Sequence, residues 1–205
     1  MKYVSIDLET TGLSPNDCQI LEFAAVIDDS GHPKVPIGKL PSFRRLVVSR
    51  QIKGEIYALD MNKKLIREIY DYYYTGRDPN WQAPVDTCEP RELGLQFGEF
   101  CQSNGVDSKN IIAAGKNFTG FDLRFLRRHP DFMTYCGFHH RSLDPAMYFL
   151  QSNDTAPPST NKCLERAGSS TETTHEALND AWDVVFLIRT GLSNARLNRQ
   201  TCNAT

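Results

Sequence analysis

The chain has 205 residues, of which 40% are hydrophobic and 23% are charged, and its formal net charge is −2. This length and composition predict one soluble globular domain with a sizeable core. The near-zero charge excludes a protein that attracts nucleic acid through its whole surface, so local patches or metals would have to hold such a partner. No apolar run reaches the roughly 18 to 20 residues of a membrane span.

The six cysteines are scattered without a C-x-x-C spacing. Since we also find no signal peptide, we expect reduced thiols in a cytoplasmic protein.

The first predicted element is a strand that begins near Tyr3 and ends at a Thr-Thr-Gly turn. Successive side chains of a strand point to opposite faces, so Asp7 and Glu9 lie side by side on one face. Adjacent carboxylates on a buried strand need a cation or a proton to offset their charge, and a hard divalent metal with oxygen ligands supplies one. Taken alone, the pattern also fits an edge strand with solvated acids. Gly12 can take the positive φ angle that the turn requires.

The next two predicted elements are also strands, at residues 19–27 and 43–48, joined by a proline-rich link. Three strands with short connections predict an antiparallel meander. Apolar residues at helical spacing then predict an amphipathic helix over residues 61–73, and the three prolines of residues 75–90 predict a surface loop.

Helices and strands alternate in the rest of the chain. A helix near residues 93–101 precedes a short buried strand at 111–114, a short helix ending at Arg128 and a weak strand at 141–143. Residues 152–160 are predicted to form a loop, and the last helix to end near Gly191, before a frayed polar tail. We therefore expect an α/β fold in which helices flank a mixed sheet.

Three more polar residues are candidates for a site with Asp7 and Glu9. Asp122 follows the buried strand at 111–114, where α/β proteins place functional groups, although it also fits a first-turn helix acid. Asp180 lies about 40° from Val184 around the last helix, at the edge of its apolar stripe, so it faces the core and needs a partner. Asp183 is predicted to be a surface acid. His175 precedes the regular part of this helix, where Thr173 and Glu176 have the spacing of a capping box.

Together these residues form three motifs: D-x-E-T-T-G-L, N-x-x-x-F-D and H-x-A-x-x-D. Their types and order resemble those of the DEDD, or DnaQ-like, exonucleases over about residues 4–190. One branch of the family has a histidine five residues before the last aspartate, and the other has a tyrosine four residues before it. Here position 175 is histidine and position 176 is glutamate, so the chain is similar to the DEDDh branch.

The resemblance implies a ribonuclease-H-like fold: an antiparallel meander plus parallel strands, flanked by α-helices. It implies one exonuclease domain over residues 1–192, with a variable helical and loop insertion at about 51–90 and a polar tail at 193–205. The implied metal ligands are Asp7, Glu9, Asp122 and Asp180, which would hold two Mg²⁺ or Mn²⁺ ions, with His175 as general base. Carboxylate ligands favour these metals over zinc, and the spacing of Cys136, His139 and His140 is poor for a zinc site.

The implied partner is nucleic acid with a free 3′ end, in single-stranded form, from which nucleoside 5′-monophosphates would be released. The resemblance places substrate contacts at Thr10, Gly12, Leu13, Asn117 and Phe121. Leu13 equally fits a turn residue folded onto the core. The basic residues that follow Asp122 could track the phosphate backbone, but they also fit a solvated helix face: Arg124, Arg127, Arg128 and His129.

Two other functional classes fit the sequence less well. An inactive, nucleic-acid-binding or structural member of the fold would be expected to lack a catalytic residue, and none is missing. An aspartyl-phosphate phosphatase needs a second aspartate two positions after the nucleophile, where this chain has Glu9, and no lysine-bearing motif follows. The sequence does not distinguish DNA from RNA.

Overall fold

A computed structural model describes residues 1–74, 86–170, 173, 174 and 176–202, with side chains described as far as residue 195. Five strands form one sheet in the order β4-β3-β2-β1-β5. Their bounds are β1 Lys2–Thr10, β2 Ile20–Asp29, β3 Ser42–Val47, β4 Thr87–Cys88 and β5 Ala113–Ala114.

The first three strands pair antiparallel, which confirms the predicted meander. β5 pairs parallel with β1, and β4 pairs parallel with β3. Since β1 lies between β2 and β5, the alternative of an edge strand with solvated acids is wrong. The weak strand at 141–143 is reduced to a single parallel bridge between Leu143 and Ala114.

Seven α-helices surround this sheet in the described part of the chain. They are α1 Ile56–Met61, α2 Lys63–Tyr74, α3 Leu93–Ser103, α4 Asp122–Arg128, α5 Phe132–Tyr135, α6 Thr160–Arg166 and α7 Ala177–Cys202. The sequence patterns predicted α2, α3, α4 and α7, but α1, α5 and α6 were not predicted. Residues 75–85 of the predicted 75–90 loop lie outside the described residues, and β4 occupies part of the remainder.

The two faces of the sheet pack against different helices. On one face an aromatic core joins the sheet to α3 and α5 through Phe23, Phe97 and Phe132, with ring centroids 4.7 to 5.9 Å apart. On the other face Tyr3 and Val26 pack against the buried side of α7, which includes Ala181. This second face of β1 also carries Asp7 and Glu9, so the fold sets the acids directly beneath α7.

The last helix is longer than predicted, because it continues past Gly191 to Cys202. A Cβ atom at position 191 would lie 2.5 Å from the Cβ atom of Tyr148. The glycine is therefore needed for close packing inside the helix rather than for ending it. No helix in the described ranges has the length and apolar character that crossing a membrane requires.

Candidate active site

Three carboxylates meet where the carboxyl end of β1 lies against α7. Ligand oxygens of Asp7, Glu9 and Asp180 all lie within 4.8 Å of one another. The buried Ser5 hydroxyl donates a hydrogen bond of 2.8 Å to the carbonyl of Ala181, which fastens α7 to β1 beside these acids. Residues 5, 7 and 9 share one face of the strand, because successive side chains alternate between its faces. This face therefore carries both the Ser5 hydroxyl that bonds α7 and the two acids.

Asp122, the fourth acid of the predicted site, lies near this cluster at the start of α4. It is the first residue of α4, and its side chain is buried. Burial raises the pKa of Asp122 to about 7, although backbone hydrogen bonds, including one from Leu8, act in the opposite direction. The negative charge of Asp122 also raises the pKa of Asp7. Asp122 is therefore close enough to interact electrostatically with Asp7, while the compact carboxylate group consists of Asp7, Glu9 and Asp180.

The cluster has a marked excess of negative charge. Loss of bulk water and repulsion from Asp122 and Asp180 raise the pKa of Asp7 well above its usual range. Burial and the charge of Asp180 raise the pKa of Glu9 to about 8. Among the described residues, no lysine or arginine forms an ion pair with Asp7, Glu9 or Asp122. Oxygen ligands of this density fit a hard divalent cation such as Mg²⁺ or Mn²⁺.

Asp183 differs from its prediction as a surface acid. It is half-buried on α7, and burial together with the charge of Asp180 raises its pKa to about 6. The helical period places it one turn beyond Asp180, where the helix still lies against the sheet. Asp183 is thus electrostatically part of the acidic region.

His175 lies outside the described residues, so its role stays a prediction. The capping box predicted from Thr173 and Glu176 is wrong, because the helix begins at Ala177. The amide of Ala177 instead donates to the carboxylate of Glu22, with an N···O distance of 3.1 Å.

Glu22 is a site residue that the sequence reasoning missed. Its side chain is completely buried on β2, directly opposite Glu9 in the strand register. Its second oxygen accepts a hydrogen bond of 2.5 Å from Arg44 on β3. Glu22 therefore ties the start of α7 to the middle of the sheet and fixes the helix that carries Asp180.

The segment at residues 51–62 also contributes to the site, which local sequence patterns did not indicate. Asn62 follows α1 and is buried, and its side-chain amide donates to the carbonyl of Thr10 at 3.0 Å. A side-chain hydrogen bond between Asn62 and Glu9 partly offsets the raised pKa of Glu9. Glu55, just before α1, accepts a hydrogen bond of 3.0 Å from the amide of Leu13.

A cleft of about 310 Å³ opens above the acids. Its lining combines the acids with apolar side chains from β1, the turn after it, α1 and α4: Asp7, Leu8, Glu9, Thr10, Gly12, Leu13, Glu55, Tyr57, Ala58, Met61, Phe121 and Asp180. Leu13 and Tyr57 are 71% and 80% exposed, so the alternative in which Leu13 folds onto the core is wrong. The cleft has a charged floor and an apolar rim.

The turn after β1 is built tightly around Gly12. Its φ angle is +155°, and a Cβ atom there would lie 2.6 Å from the sulfur of Cys18 and 2.8 Å from Glu55. The hydroxyl of Thr10 donates to the carbonyl of Gly12 at 2.8 Å, so it is occupied in holding the turn. These contacts confirm the predicted need for glycine.

Other predicted contacts lie outside the cleft. Asn117 is exposed, with a φ angle of 56°, and its amide donates to a carboxylate oxygen of Asp144 at 3.0 Å. Arg124 and Arg127 are exposed on α4, and neither lines the cleft. The sulfur of Cys136 contacts the carbonyl of Gly94 at 3.3 Å in the core.

No protein-family model matches the sequence, and no curated protein matches it either. Solved structures do share its fold. Cell-death related nuclease 4 (CRN-4) superimposes with a TM-score of 0.63 at 15% identity, over 94% of this chain and 64% of that one. Exonuclease I of E. coli, solved with a dT13 oligonucleotide, gives 0.57 at 15% identity, over 98% of this chain and 43% of that one.

Exonuclease I from Methylocaldum szegediense gives a TM-score of 0.56 at 17% identity, over 92% of this chain and 40% of that one. The chain thus spans less than two thirds of the length of each of these proteins. Its sheet, with an antiparallel meander and parallel strands flanked by helices, is the arrangement that its motifs predicted. The chain has a ribonuclease-H-like fold, and these nucleases superimpose on it.

Proposed function

We propose that this protein is a metal-dependent 3′–5′ exonuclease that releases nucleoside 5′-monophosphates from single-stranded nucleic acid. The observation that carries the proposal is the cluster of carboxylates on an internal strand, at the floor of a cleft with an apolar rim. The pairing of a charged floor with an apolar rim suits a nucleotide, which has a phosphate at one end and a base at the other. The shared fold of the exonucleases gives independent support.

In this proposal, Asp7, Glu9, Asp122 and Asp180 hold two Mg²⁺ or Mn²⁺ ions. Such ions, when bound, polarise the scissile phosphate and stabilise the attacking and leaving oxygens. The raised pKa values of Glu9 and Asp122 reflect buried negative charge that a divalent cation would neutralise. The fastening of α7 to β1 by Ser5 keeps the acids in position for the cations.

His175 is proposed as the general base that takes a proton from the attacking water. An imidazole pKa near neutrality suits this role. In the sequence, His175 stands two residues before Ala177, whose amide donates to Glu22 at the start of α7. Of the predicted substrate contacts, Leu13 and Phe121 offer apolar surface to the terminal base, and Tyr57 and Met61 join them. Apolar packing on a base face tolerates any base, which suits an exonuclease without sequence preference.

The test is chromatography of the products released from single-stranded DNA and RNA of the same sequence, in Mg²⁺, in Mn²⁺ and in chelator. We expect nucleoside 5′-monophosphates as the products, no release in chelator, and near-complete loss of release in Asp180→Asn and His175→Ala. The polymer that is hydrolysed faster identifies the substrate. Oligomer binding without hydrolysis in either metal would instead identify an inactive, nucleic-acid-binding member of the fold.

A further inference from the structure

A second groove lies on the far side of the turn that follows β1, and it contains two of the basic residues that follow Asp122, Arg128 and His129. Its volume is about 300 Å³, against about 310 Å³ for the cleft. It is lined by residues from the turn, from β2 and β3, and from the end of α4: Pro15, Asn16, Cys18, Gln19, Ile20, Val47, Ser49, Pro90, Phe125, Arg128, His129 and Pro130. A cavity of this size next to the cleft can accept a second nucleotide of the same strand.

The cleft and the groove are neighbours along two elements. The turn supplies Gly12 and Leu13 to the cleft and Pro15 to the groove. Phe121, which directly precedes α4, lines the cleft, and Phe125 on α4 lines the groove, with their ring centroids 5.2 Å apart. One turn of backbone and one turn of helix therefore separate the two cavities.

The turn between the two cavities is held firmly by its own hydrogen bonds. The amide of Cys18 donates to the carbonyl of Ser14 at 2.9 Å, and the amide of Thr11 donates to the carbonyl of Gln19 at 2.9 Å. The hydroxyl of Thr11 also donates to the carbonyl of Lys53 at 2.6 Å. A nucleic-acid strand that crosses this turn would therefore meet a rigid ridge, on which the side chain of Leu13 is exposed.

The groove has the opposite charge character to the cleft. None of its described lining residues is acidic, although the chain as a whole has a net charge of −2. Arg128 is exposed and forms no ion pair with any described residue. His129 lies beside it, and a ring nitrogen of His129 donates to the carbonyl of Pro90 at 2.8 Å. A cation, amide groups and apolar walls in one groove suit a phosphate with its attached base.

We infer that this groove binds a nucleotide upstream of the 3′-terminal one, with Arg128 contacting its phosphate. The inference rests on the proposed function and adds that the substrate is a single strand of at least two or three nucleotides that crosses the turn at Leu13. A rigid duplex would have to separate its strands at this ridge, so single strands fit the two cavities better.

The test compares Arg128→Ala with Arg127→Ala, because Arg127 is also exposed on α4 but does not line the groove. Two substrates are used: an oligothymidylate of about ten nucleotides, and thymidine 5′-monophosphate p-nitrophenyl ester, which fills the cleft alone. We expect Arg128→Ala to raise KM for the oligomer by about five- to tenfold. The same variant should leave hydrolysis of the ester unchanged, and Arg128→Lys should recover most of the loss. Arg127→Ala should affect neither substrate.

Oligomer affinity is measured in parallel by fluorescence anisotropy in chelator, so that the groove can be tested even if the enzyme hydrolyses neither substrate. In that case the proposed function fails, whereas the groove is judged on binding alone. Arg128→Ala should weaken binding and reduce the slope of log affinity against log salt by about 0.7, the value for one phosphate of a single strand. Equal weakening by the two alanine variants, or weakening by neither, would overturn the inference.

Discussion

Replacing Glu9 with glutamine should increase the free energy of unfolding of the metal-free protein. The same substitution should weaken metal binding. Glu9 is 6% exposed and lies within 4.8 Å, through its ligand oxygens, of Asp7 and Asp180. Glutamine has nearly the same shape and keeps an oxygen that can accept the hydrogen bond from Asn62. It removes only the charge, so the experiment isolates the electrostatic cost of the cluster.

The magnitude follows from the pKa of Glu9, which burial and the charge of Asp180 raise from 4.5 to about 8. Each pH unit between the unfolded and folded values corresponds to about 1.4 kcal/mol. Between these two values the folded protein retains a proton that the unfolded chain releases, so the free energy of unfolding falls as pH rises. The loss is on the order of 4 kcal/mol at pH 8, and it is complete, at about 5 kcal/mol, about one pH unit above the folded value.

The assay is urea unfolding of the wild type and Glu9→Gln in chelator, at several values between pH 5 and pH 8.5. We expect the variant to be about 2 to 4 kcal/mol more stable at pH 8, with the gain shrinking toward pH 5. Glu99→Gln, which changes an exposed glutamate on α3, is the control and should alter the free energy of unfolding by less than about 0.5 kcal/mol. Saturating Mg²⁺ should stabilise the wild type more than the variant. A Glu9→Gln protein that is no more stable than the wild type at pH 8 would refute the reasoning.

Three further predictions concern residues around the cluster. Glu22→Ala should lower the free energy of unfolding, measured with urea, by about 3 kcal/mol, because Arg44 and the start of α7 lose their buried partner. Glu22→Gln should lower it by less. An unchanged stability in the alanine variant would contradict the anchoring role of Glu22. Tyr57→Ala should raise KM by about tenfold, because one contact with a base is lost. An unchanged KM in steady-state kinetics would show that Tyr57 does not contact the substrate. Gly191→Ala should lower the free energy of unfolding by about 1 to 3 kcal/mol, because the added methyl group overlaps Tyr148. An unchanged melting temperature would contradict the close packing of Gly191 against Tyr148.

Much of the acidic site could be predicted because its signals are local in sequence. The alternation of β1 places Asp7 and Glu9 on one face, and the helical period turns Asp180 toward the sheet. The buried strand before Asp122 marked the loop where that acid begins α4. Each of these inferences needs only a few neighbouring residues. The structure groups Asp7, Glu9 and Asp180, and Asp122 interacts electrostatically with Asp7.

The parts of the site that were missed depend on contacts between distant residues. Glu22 sits in an apolar strand, and its partner Ala177 is 155 residues away along the chain. Tyr57 belongs to a segment without periodic pattern that becomes part of the cleft only after folding. Gly191 has the local signature of a helix end, but its packing against Tyr148 decides its role. Local propensity cannot report such contacts, since tertiary packing creates them.

The most direct test of the central claim uses one oligonucleotide in two forms, linear with a 5′ label and closed into a single-stranded circle, incubated with the wild-type protein and Mg²⁺. An acidic cluster that acts on a terminal nucleotide predicts that the linear form shortens stepwise from its 3′ end while the circle stays intact. The shortening of the linear form should stop in chelator and in Asp7→Asn. Cutting of the circle, or an intact linear strand under all conditions, would contradict the assignment of this site to a 3′–5′ exonuclease.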